Sequence, residues 1–284
     1  MTYHSANGRL MCHYCGHSEP AYDRCPQCGG IMKHIGTGTQ KVEEELHALF
    51  PGAKVLRMDT DTVGASHGHE KLLRQFEEEK IPILLGTQMV AKGLDFENVT
   101  LVGVLCADAS LYIDNYRAPE RTFSLLSQVV GRAGRGSKQG RAIIQTFTPE
   151  NEVIRAAAAQ DYEAFYESEI RMRRLRRYPP FADLFSFTVT GADESRVIRA
   201  AKALRDALGY AVERREKLKP LSIEVLGPAG ASVVKVNNRY RYRVFLVGKG
   251  CPALRRLVAE YLYAFYQHKE NRGLDIFADC NAIQ

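Results

Sequence analysis

The chain lacks long hydrophobic runs and an export signal. None of its 284 residues lie in an apolar stretch approaching the 18 residues of a membrane span. The N-terminus has no basic segment followed by an apolar one, so a secretory leader is not expected. With 45% hydrophobic residues, the chain can bury ordinary cores. We therefore expect two cytoplasmic domains with a small appendage and no membrane partner.

Two nucleotide-binding motifs are also missing. The sequence contains no Gly-x-x-x-x-Gly-Lys-[Ser/Thr] phosphate loop and no Asp-Glu-x-His-type magnesium motif. Those elements cradle a triphosphate and hold its Mg²⁺. We therefore expect that this chain alone does not hydrolyse ATP.

Seven cysteines are present, and four of them form two CxxC pairs. Cys12 and Cys15 precede Cys25 and Cys28, with nine residues between the pairs. Two such knuckles supply a tetrahedral zinc shell, whereas a redox CxxC motif needs only one pair ahead of a helix. We predict a structural Zn²⁺, because four thiolates leave no open coordination position. The odd cysteine count argues against a secreted disulfide framework.

Charge is distributed unevenly. Residues 1–150 carry 16 basic and 17 acidic residues, whereas residues 151–284 carry 23 basic and 16 acidic ones. The positive charge of the chain therefore lies in its second half, where contact with a polyanion is most plausible.

Residues 37–150 alternate between helix-like and strand-like patterns. Short apolar runs at 81–85 and 99–106 are typical of strands buried on both faces of a parallel sheet. A helix capped by Thr39 is expected to turn Val42, Leu46 and Leu49 inward. The pattern predicts an α/β domain with function at the carboxyl ends of its strands. Thr87 and Gln88 follow one strand directly and can offer hydrogen bonds to a nucleic-acid phosphate.

The run Gln128-Val-Val-Gly-Arg-Ala-Gly-Arg135 carries the strongest functional signal. Arg132 and Arg135 lie three residues apart and project from one face of a helix start. Such arginines can reach the γ-phosphate of a nucleotide held by another lobe, which is typically worth roughly 10³ to 10⁵ in rate. A Gly/Arg-rich surface turn is the alternative if the run is taken alone.

Five motifs in order resemble one family. They are Gly36-Thr-Gly-Thr-Gln40, Arg57-Met-Asp-Thr-Asp-Thr62, Gly86-Thr-Gln-Met-Val-Ala-Lys-Gly93, Gln128 to Arg135, and Tyr178-Pro-Pro-Phe181. The series resembles the C-terminal part of the primosomal protein N′ (PriA) family, superfamily 2 helicases of bacterial replication restart. RecG-like fork-remodelling helicases share the last helicase motif but lack the CxxC pairs and the Gly-Thr-Gln-Met run, so they rank second. A non-catalytic zinc-containing module that binds DNA or a partner is the alternative from another class.

The resemblance implies roles for individual residues. It implies a RecA-like second lobe, catalytic roles for Gln128, Arg132 and Arg135, and contact of Thr87 with the tracking DNA strand. It also implies that a further set couples DNA position to the nucleotide: Lys92, Gly93, Asp95 and Gly131. For Asp95 a helix or turn cap is the alternative. The implied parent uses ATP and Mg²⁺, moves 3′→5′ on single strands in the bacterial nucleoid, and works with single-stranded DNA-binding protein and primosome proteins.

The cysteines depart from the family pattern. Members carry four CxxC pairs that build two interleaved zinc sites, and only the last two pairs occur here. Either the four cysteines close on one zinc, which the nine-residue spacer permits, or the segment is incompletely metallated. We expect one zinc.

The basic second half holds two candidate DNA contacts. Five arginines crowd residues 171–177, at the end of one long helix expected from about Glu152; Arg174 and Arg177 could bind a phosphate backbone, or the cluster could simply favour a helix C-terminus. Arg239, Arg241 and Arg243 alternate with two tyrosines on a strand, so one face is basic and the other aromatic. We expect the tyrosines in the core and the arginines on DNA.

The expected organisation has four parts. They are a zinc-binding knuckle segment (1–36), a RecA-like helicase C-terminal lobe (37–150), a basic helical linker (151–180) and an α+β domain that binds DNA or a partner (181–284). The last of these is expected to hold a mainly antiparallel sheet, with a hairpin turn at Asn237-Asn238. Its strand-like runs include separate ones at 222–226 and 232–236.

Overall fold

The computed structural model describes residues 2–4, 8–11, 17–31, 38–58, 68–87, 90, 99–113, 115–131 and 140–281. The chain forms two compact units. The lobe comprises Lys33–Tyr112 and Ala118–Tyr166, and the C-terminal unit comprises Met1–Met32, Ile113–Arg117 and Glu167–Gln284. The four expected parts stay a prediction; the two units group residues 1–32 with the C-terminal residues and extend the lobe from residue 150 to residue 166, without residues 113–117. Among the described residues, no helix is long and apolar enough to cross a membrane.

Helices and strands alternate along the lobe, and in the C-terminal unit two long helices interrupt the series of strands. The strands are β1 (Thr2–His4), β2 (Arg9–Met11), β3 (Ser18–Pro20), β4 (Val55–Met58), β5 (Ile83–Gly86), β6 (Leu101–Val104), β7 (Arg141–Ile144), β8 (Asp183–Gly191), β9 (Glu224–Val236), β10 (Arg239–Gly248) and β11 (Asp275–Cys280). The helices are α1 (Thr39–Leu49), α2 (Gly68–Glu78), α3 (Asp108–Leu111), α4 (Ala118–Val130), α5 (Glu152–Ala159), α6 (Tyr162–Arg176), α7 (Glu194–Arg214) and α8 (Pro252–Gln267).

The strands of the lobe pair in parallel, as predicted, but the prediction that these runs are buried on both faces was wrong: Leu101 and Leu105 are 58% and 55% exposed. β4 pairs with β5 and β6 with β7, each over four residues. The prediction for α1 was wrong in two details. Gly38, not Thr39, caps the helix, because the amides of the first turn already bond to its carbonyl. Leu49 is 71% exposed in the last turn and does not point inward.

The core of the lobe forms where α4 packs against α5 and α6. Phe123 and Leu126 of α4 are buried there with Ile154 and Ala157 of α5. The ring of Phe123 stacks on Phe165 of α6, with their centroids 4.2 Å apart. Residues three and four apart on each helix supply these contacts, as an amphipathic helix requires.

The single long helix expected from Glu152 is instead two helices. Gln160 adopts a left-handed backbone (φ 55°) and ends α5. The side chain of Asp161 then accepts a hydrogen bond from the amide of Ala164 (3.0 Å), which starts α6. Periodicity missed the break because Gln and Asp also occur inside helices, whereas a local cap decides where this one stops.

A buried carboxylate joins the ends of β6 and β7. Asp108 is 1% exposed and accepts hydrogen bonds from the amide of Phe147 (2.9 Å) and the hydroxyls of Thr148 (2.8 Å) and Thr146 (3.1 Å). Burial opposes ionisation of this carboxyl, but the three hydrogen bonds outweigh it and hold the pKa of Asp108 below its usual value. Charge therefore stabilises this corner of the lobe.

The C-terminal unit contains a four-stranded antiparallel sheet in the order β11-β8-β10-β9. Helices α7 and α8 cover one face. The α7 residues buried there recur at spacings of three and four, and they pack against Phe187, Val189, Val244 and Leu246 of the sheet. The antiparallel prediction is confirmed, as is the hairpin turn, where Asn237 and Asn238 have φ of 49° and 59°.

Two runs predicted as separate strands, at 222–226 and 232–236, belong to the single strand β9. Pairing with β10 continues between them through two register shifts. Gly227 permits this course, since its φ is +100° and an added Cβ would lie 2.7 Å from the carbonyl oxygen of Arg243.

We predict that Asp108→Asn destabilises the lobe by roughly 1 to 3 kcal/mol, because a neutral amide replaces a buried acceptor of three hydrogen bonds. The depressed pKa means that this stabilisation is present above the carboxyl's unfolded value of about 3.9 and disappears as the pH falls through its folded value. Urea unfolding followed by circular dichroism from pH 7 downward measures it.

Asp206→Asn, at an exposed carboxylate on α7, is the matched control. Equal unfolding midpoints for wild type and Asp108→Asn at pH 7 would contradict the role given to Asp108.

Candidate nucleotide and nucleic-acid interface

Helix α4 leads directly into the arginine motif. Its C-terminal turn holds Gln128, an exposed side chain whose Nε2 donates a hydrogen bond to Ser124 Oγ (3.2 Å). Gly131 follows the helix, and its amide donates to the carbonyl of Ser127 (3.0 Å). Arg132 and Arg135 come next and lie outside the described residues. Their role as arginine fingers stays a prediction.

Sequence reasoning missed Gln160, which contacts this helix end. Its Nε2 donates to the same Ser127 carbonyl at 3.4 Å. A Cβ added to Gly131 would lie 3.0 Å from that Nε2 and 3.2 Å from the Ser127 oxygen. A side chain at this position would therefore require Gln160 or the end of α4 to shift by a few tenths of an ångström. No motif marked Gln160; its left-handed position beyond α5 brings it there.

Thr87 follows β5 at the carboxyl end of the parallel pair, where the sequence placed a DNA contact. Its side chain is exposed, and its carbonyl accepts a hydrogen bond from the amide of Val90 (3.1 Å). A Cβ on Gly86 would lie 2.6 Å from the Met58 carbonyl, so only glycine fits before the turn. Four other predicted residues lie outside the described part of the chain: Gln88, Lys92, Gly93 and Asp95.

The arginine cluster at the end of α6 is largely engaged within the C-terminal unit. Arg174 lies over the ring of Phe181 (5.0 Å to the centroid). Arg177, which was predicted to bind phosphate, donates a hydrogen bond to the Ser222 carbonyl (2.6 Å). This bond connects the residue after α6 to the segment that precedes β9. Arg176 was not singled out, yet it is exposed and makes no hydrogen bond or ion pair with the described residues.

The three arginines of β10 have different environments. Arg239 bonds to Thr190 Oγ1 and pairs with Asp275. Arg241 is half-buried, and no hydrogen bond or ion pair of its guanidinium occurs among the described residues. Arg243 is only 8% exposed, so the prediction that it is presented to DNA is wrong. It lies opposite Thr188 on the central strand β8, where both sheet faces are buried.

The tyrosines of β10 lie in the core, as predicted. Tyr240 and Tyr242 pack against the cluster beneath α7 and α8. The hydroxyl of Tyr242 donates to Glu194 Oε1 (2.8 Å), and burial together with that carboxylate raises the pKa of Tyr242 far above its usual value. Because both rings pack against this core, they do not form an exposed base-stacking platform.

The second cysteine pair forms a tight knuckle. The Cys25 amide donates to the Gly30 carbonyl, and the Gly29 amide donates to the Cys25 carbonyl, each at 2.8 Å. Amides of Cys28 and Gln27 donate to the Cys25 thiolate and lower its pKa. The spacing and this backbone turn fit one half of a zinc site. Cys12 and Cys15 lie outside the described residues, within which no group of three potential metal ligands occurs.

Comparison with known families accounts for both units. The helicase conserved C-terminal domain model matches residues 35–137, the primosomal protein N C-terminal domain model matches 174–281, and the PriA Cys-rich region model matches 1–20. The curated replication restart protein PriA of Bacillus subtilis is 43% identical over 99% of the chain. The chain belongs to the PriA family.

Other PriA proteins have similar sequence identity to the chain and similar coverage. Those of Synechocystis and Treponema pallidum are 39% and 38% identical over 87% and 93% of the chain. The chain spans about a third of the length of these relatives: 34% for Bacillus subtilis, 29% for Synechocystis and 39% for Treponema pallidum. A RecA-like second lobe, a Cys-rich N-terminal region and a C-terminal α+β part are thereby confirmed.

Within the described residues of the two arginine clusters, Arg176 and Arg241 make no hydrogen bond, ion pair or cation–π contact, so they are the candidates for phosphate contact. We predict that Arg176→Ala and Arg241→Ala each weaken forked-DNA binding. Each variant should also reduce the slope of log affinity against log salt by about 0.7 to 0.9, the value for one lost phosphate contact. Fluorescence anisotropy over a salt series measures both effects.

Lys202→Ala is the matched control, because it removes one exposed charge from helix α7 instead. An equal loss with Lys202→Ala would show that only net charge matters, and unchanged slopes for Arg176→Ala and Arg241→Ala would remove both from the interface.

Proposed function

We propose that the chain supplies arginine fingers, part of the DNA track and fork-binding surface to an ATP-dependent 3′→5′ helicase of replication restart. The observation that carries the proposal is the continuity of α4 with Gln-x-x-Gly-Arg-x-Gly-Arg in a chain that also carries the primosomal C-terminal domain. The PriA Cys-rich match favours this over a RecG-like lobe.

The proposed role of the arginines is to stabilise negative charge during ATP hydrolysis. ATP hydrolysis spreads negative charge over the γ-phosphate oxygens, and a guanidinium supplied from a second lobe stabilises it. Arg132 and Arg135 take that role here, and Gln128, which is exposed in the last turn of α4, precedes them in the sequence. ATP and Mg²⁺ are held by a phosphate loop that this chain does not contain, so the chain alone is inactive.

DNA engages both units in this proposal. The hydroxyl of Thr87 and the amide of Gln88 contact a backbone phosphate of the tracking strand, and Lys92, Gly93, Asp95 and Gly131 relate that contact to the nucleotide. In the C-terminal unit, Arg176 and Arg241 contact forked DNA, while Arg174, Arg177 and Arg239 mainly hold the surface in shape. Single-stranded DNA-binding protein and primosome proteins are the proposed partners, in the bacterial cytoplasm.

We predict that R132A or R135A, placed in a full-length PriA protein with these residues, abolishes DNA-stimulated ATP hydrolysis. Fork binding should stay within several-fold of wild type, because the arginines act on the nucleotide. Steady-state ATPase and anisotropy assays separate the two effects. K138A, three residues beyond the motif, should retain activity. ATPase activity that survives both arginine changes would refute the finger assignment.

The zinc proposal is that Cys12, Cys15, Cys25 and Cys28 close on one structural ion. We predict one zinc per chain, lost in Cys25→Ser, as measured by metal analysis after dialysis. Cys280→Ser removes an exposed thiol from β11 and should keep the metal. Zinc retained in Cys25→Ser, or two zinc ions per wild-type chain, would contradict the single site.

A further inference from the structure

The hairpin of β9 and β10 reaches beyond the neighbouring strand of its sheet. Strand β8 ends opposite Tyr240, whereas β9 and β10 continue to pair one residue further. The turn residues Asn237 and Asn238 lie beyond that last pair, and both are exposed. Residues 231–241 are here called the hairpin tip.

Two contacts fix the shape of the hairpin tip. Arg239 donates to Thr190 Oγ1 (2.9 Å) and pairs with Asp275, so its side chain spans from β10 across β8 to β11. Lys235 stands directly opposite Tyr240 and places its ammonium group 4.8 Å from the centre of that ring. The tip is therefore held in one defined shape by the sheet that carries it.

An irregularity in β9 broadens the hairpin tip. There Arg241 alone stands opposite Ala231–Val234. Such an irregularity increases the local twist of a two-stranded ribbon. Val233 in this segment is 59% exposed, and Val236 beside the turn is 36% exposed. The surface of the tip thus combines valine methyl groups with the side-chain amides of the turn.

The hairpin tip carries positive charge on both faces. Residues 225–259 contain seven lysines and arginines and no aspartate or glutamate. Side chains alternate along β10, so Lys235, which is opposite Tyr240, lies on one face and Arg241 lies on the other. Neither cation forms an ion pair within the part of the chain that the structure describes.

The carboxylates at the same end of the sheet are bound to other groups. The carboxylate that caps α7 accepts a hydrogen bond from an amide of that helix. Glu194 accepts from the hydroxyl of Tyr242 (2.8 Å), and Asp275 pairs with Arg239. These groups therefore leave the two unpaired cations of the tip available to an anion.

The major groove of duplex DNA matches this arrangement. It is about 12 Å wide in B-form DNA and admits a two-stranded β-ribbon between its phosphate backbones. Lys235 and Arg241 can then meet one backbone each. The amides of Asn237 and Asn238 have the donors and acceptors that read adenine edges, and valine methyl groups fit beside the methyl group of thymine. An acidic peptide would engage only one face of the tip.

We infer that the hairpin tip enters the major groove of duplex DNA, and that the duplex arm of a fork is the part held by this tip. The inference rests on the proposed function, which assigns forked DNA to the C-terminal unit. It adds the kind of DNA, the groove and the residues that contact it: Lys235 and Arg241 at the two phosphate backbones, with Asn237 and Asn238 at the base edges.

The test compares three fluorescent ligands of equal length: duplex DNA, single-stranded DNA and duplex RNA. Each is titrated by anisotropy with the full 284-residue chain over a salt series. Duplex RNA has the same phosphate charge, but its major groove is deep and narrow and side chains cannot read it. A tip bound in the major groove therefore distinguishes the two duplexes, whereas contact with phosphate alone does not.

Two variants change the hairpin tip. Asn237→Asp combined with Asn238→Gly keeps the turn, because Asp-Gly favours positive φ at both positions, while it brings a negative charge to the groove. Lys235→Ala removes the cation that meets one phosphate backbone.

Ser222→Asp and Lys202→Ala are the matched controls. Ser222 is exposed, has a positive φ (46°) and precedes β9 at the end remote from the tip, so the same charge is added elsewhere. Lys202 is exposed on α7. Thermal unfolding followed by circular dichroism checks that every variant is folded.

The wild-type chain should bind duplex DNA about fivefold or more tightly than duplex RNA, the lower end of what one good base contact contributes. The turn variant should lose this preference and weaken duplex-DNA binding by about the same factor, with single-strand binding within about twofold of wild type. Lys235→Ala should lower the slope of log affinity against log salt for duplex DNA by about 0.9. Both controls should match wild type within about twofold.

Equal affinity of the wild-type chain for duplex DNA and duplex RNA would overturn the inference, as would unchanged duplex-DNA binding in the turn variant. The same loss with Ser222→Asp, or for single-stranded DNA, would show that only net charge matters and would overturn it too. If the turn variant does not fold, the salt slope of Lys235→Ala decides.

The outcomes also separate this inference from the proposed function. A wild-type chain that binds none of the three nucleic acids would refute the DNA contact in the proposed function. Salt-sensitive DNA binding that no change in the hairpin tip affects would refute the role of the tip alone.

Discussion

The stacking of Phe123 on Phe165 is the contact on which the rest of the lobe depends. It holds α4 against α6, with ring centroids 4.2 Å apart, while Leu126 fills the same core. Thr122, fully buried one residue earlier, donates to Ser110 on α3. Truncating such a buried ring typically costs about 3 to 5 kcal/mol. Because α4 runs straight into Gly131, this core also fixes where the arginine motif begins.

Much of the fold could be predicted because buried residues recur at regular spacings along a helix or a strand. The spacing of Val197, Ala201, Leu204 and Leu208 predicts the inner face of α7, and Asn237-Asn238 predicts a hairpin since both residues tolerate positive φ. The failures have local causes. The helix break at Gln160 depends on the left-handed Gln160 and on the cap by Asp161. The length of β9 depends on two register shifts in its pairing with β10. Leu49 is exposed because the last turn of α1 does not pack into a core.

The arginines show that charge in the sequence does not by itself identify a DNA-binding site. An excess of arginine in the second half of the sequence predicts attraction to a polyanion, but alternation along a strand cannot show what the opposite strand contributes. Arg243 is buried beside Thr188, Arg239 is paired with Asp275, and Arg177 fastens α6 to Ser222. Arg176, a member of the predicted cluster that was not singled out, is exposed. Tertiary partners decide which guanidinium groups can meet DNA.

The most direct measurement is titration of this chain into fluorescent forked DNA at two salt concentrations, with ATP hydrolysis assayed in the same samples. If this chain is the DNA-gripping part of a helicase and lacks its own phosphate loop, its DNA binding weakens with salt and it does not hydrolyse ATP. Absence of binding at low salt would assign DNA recognition elsewhere in the parent protein. Hydrolysis of ATP by the chain alone would contradict the division of labour between lobes.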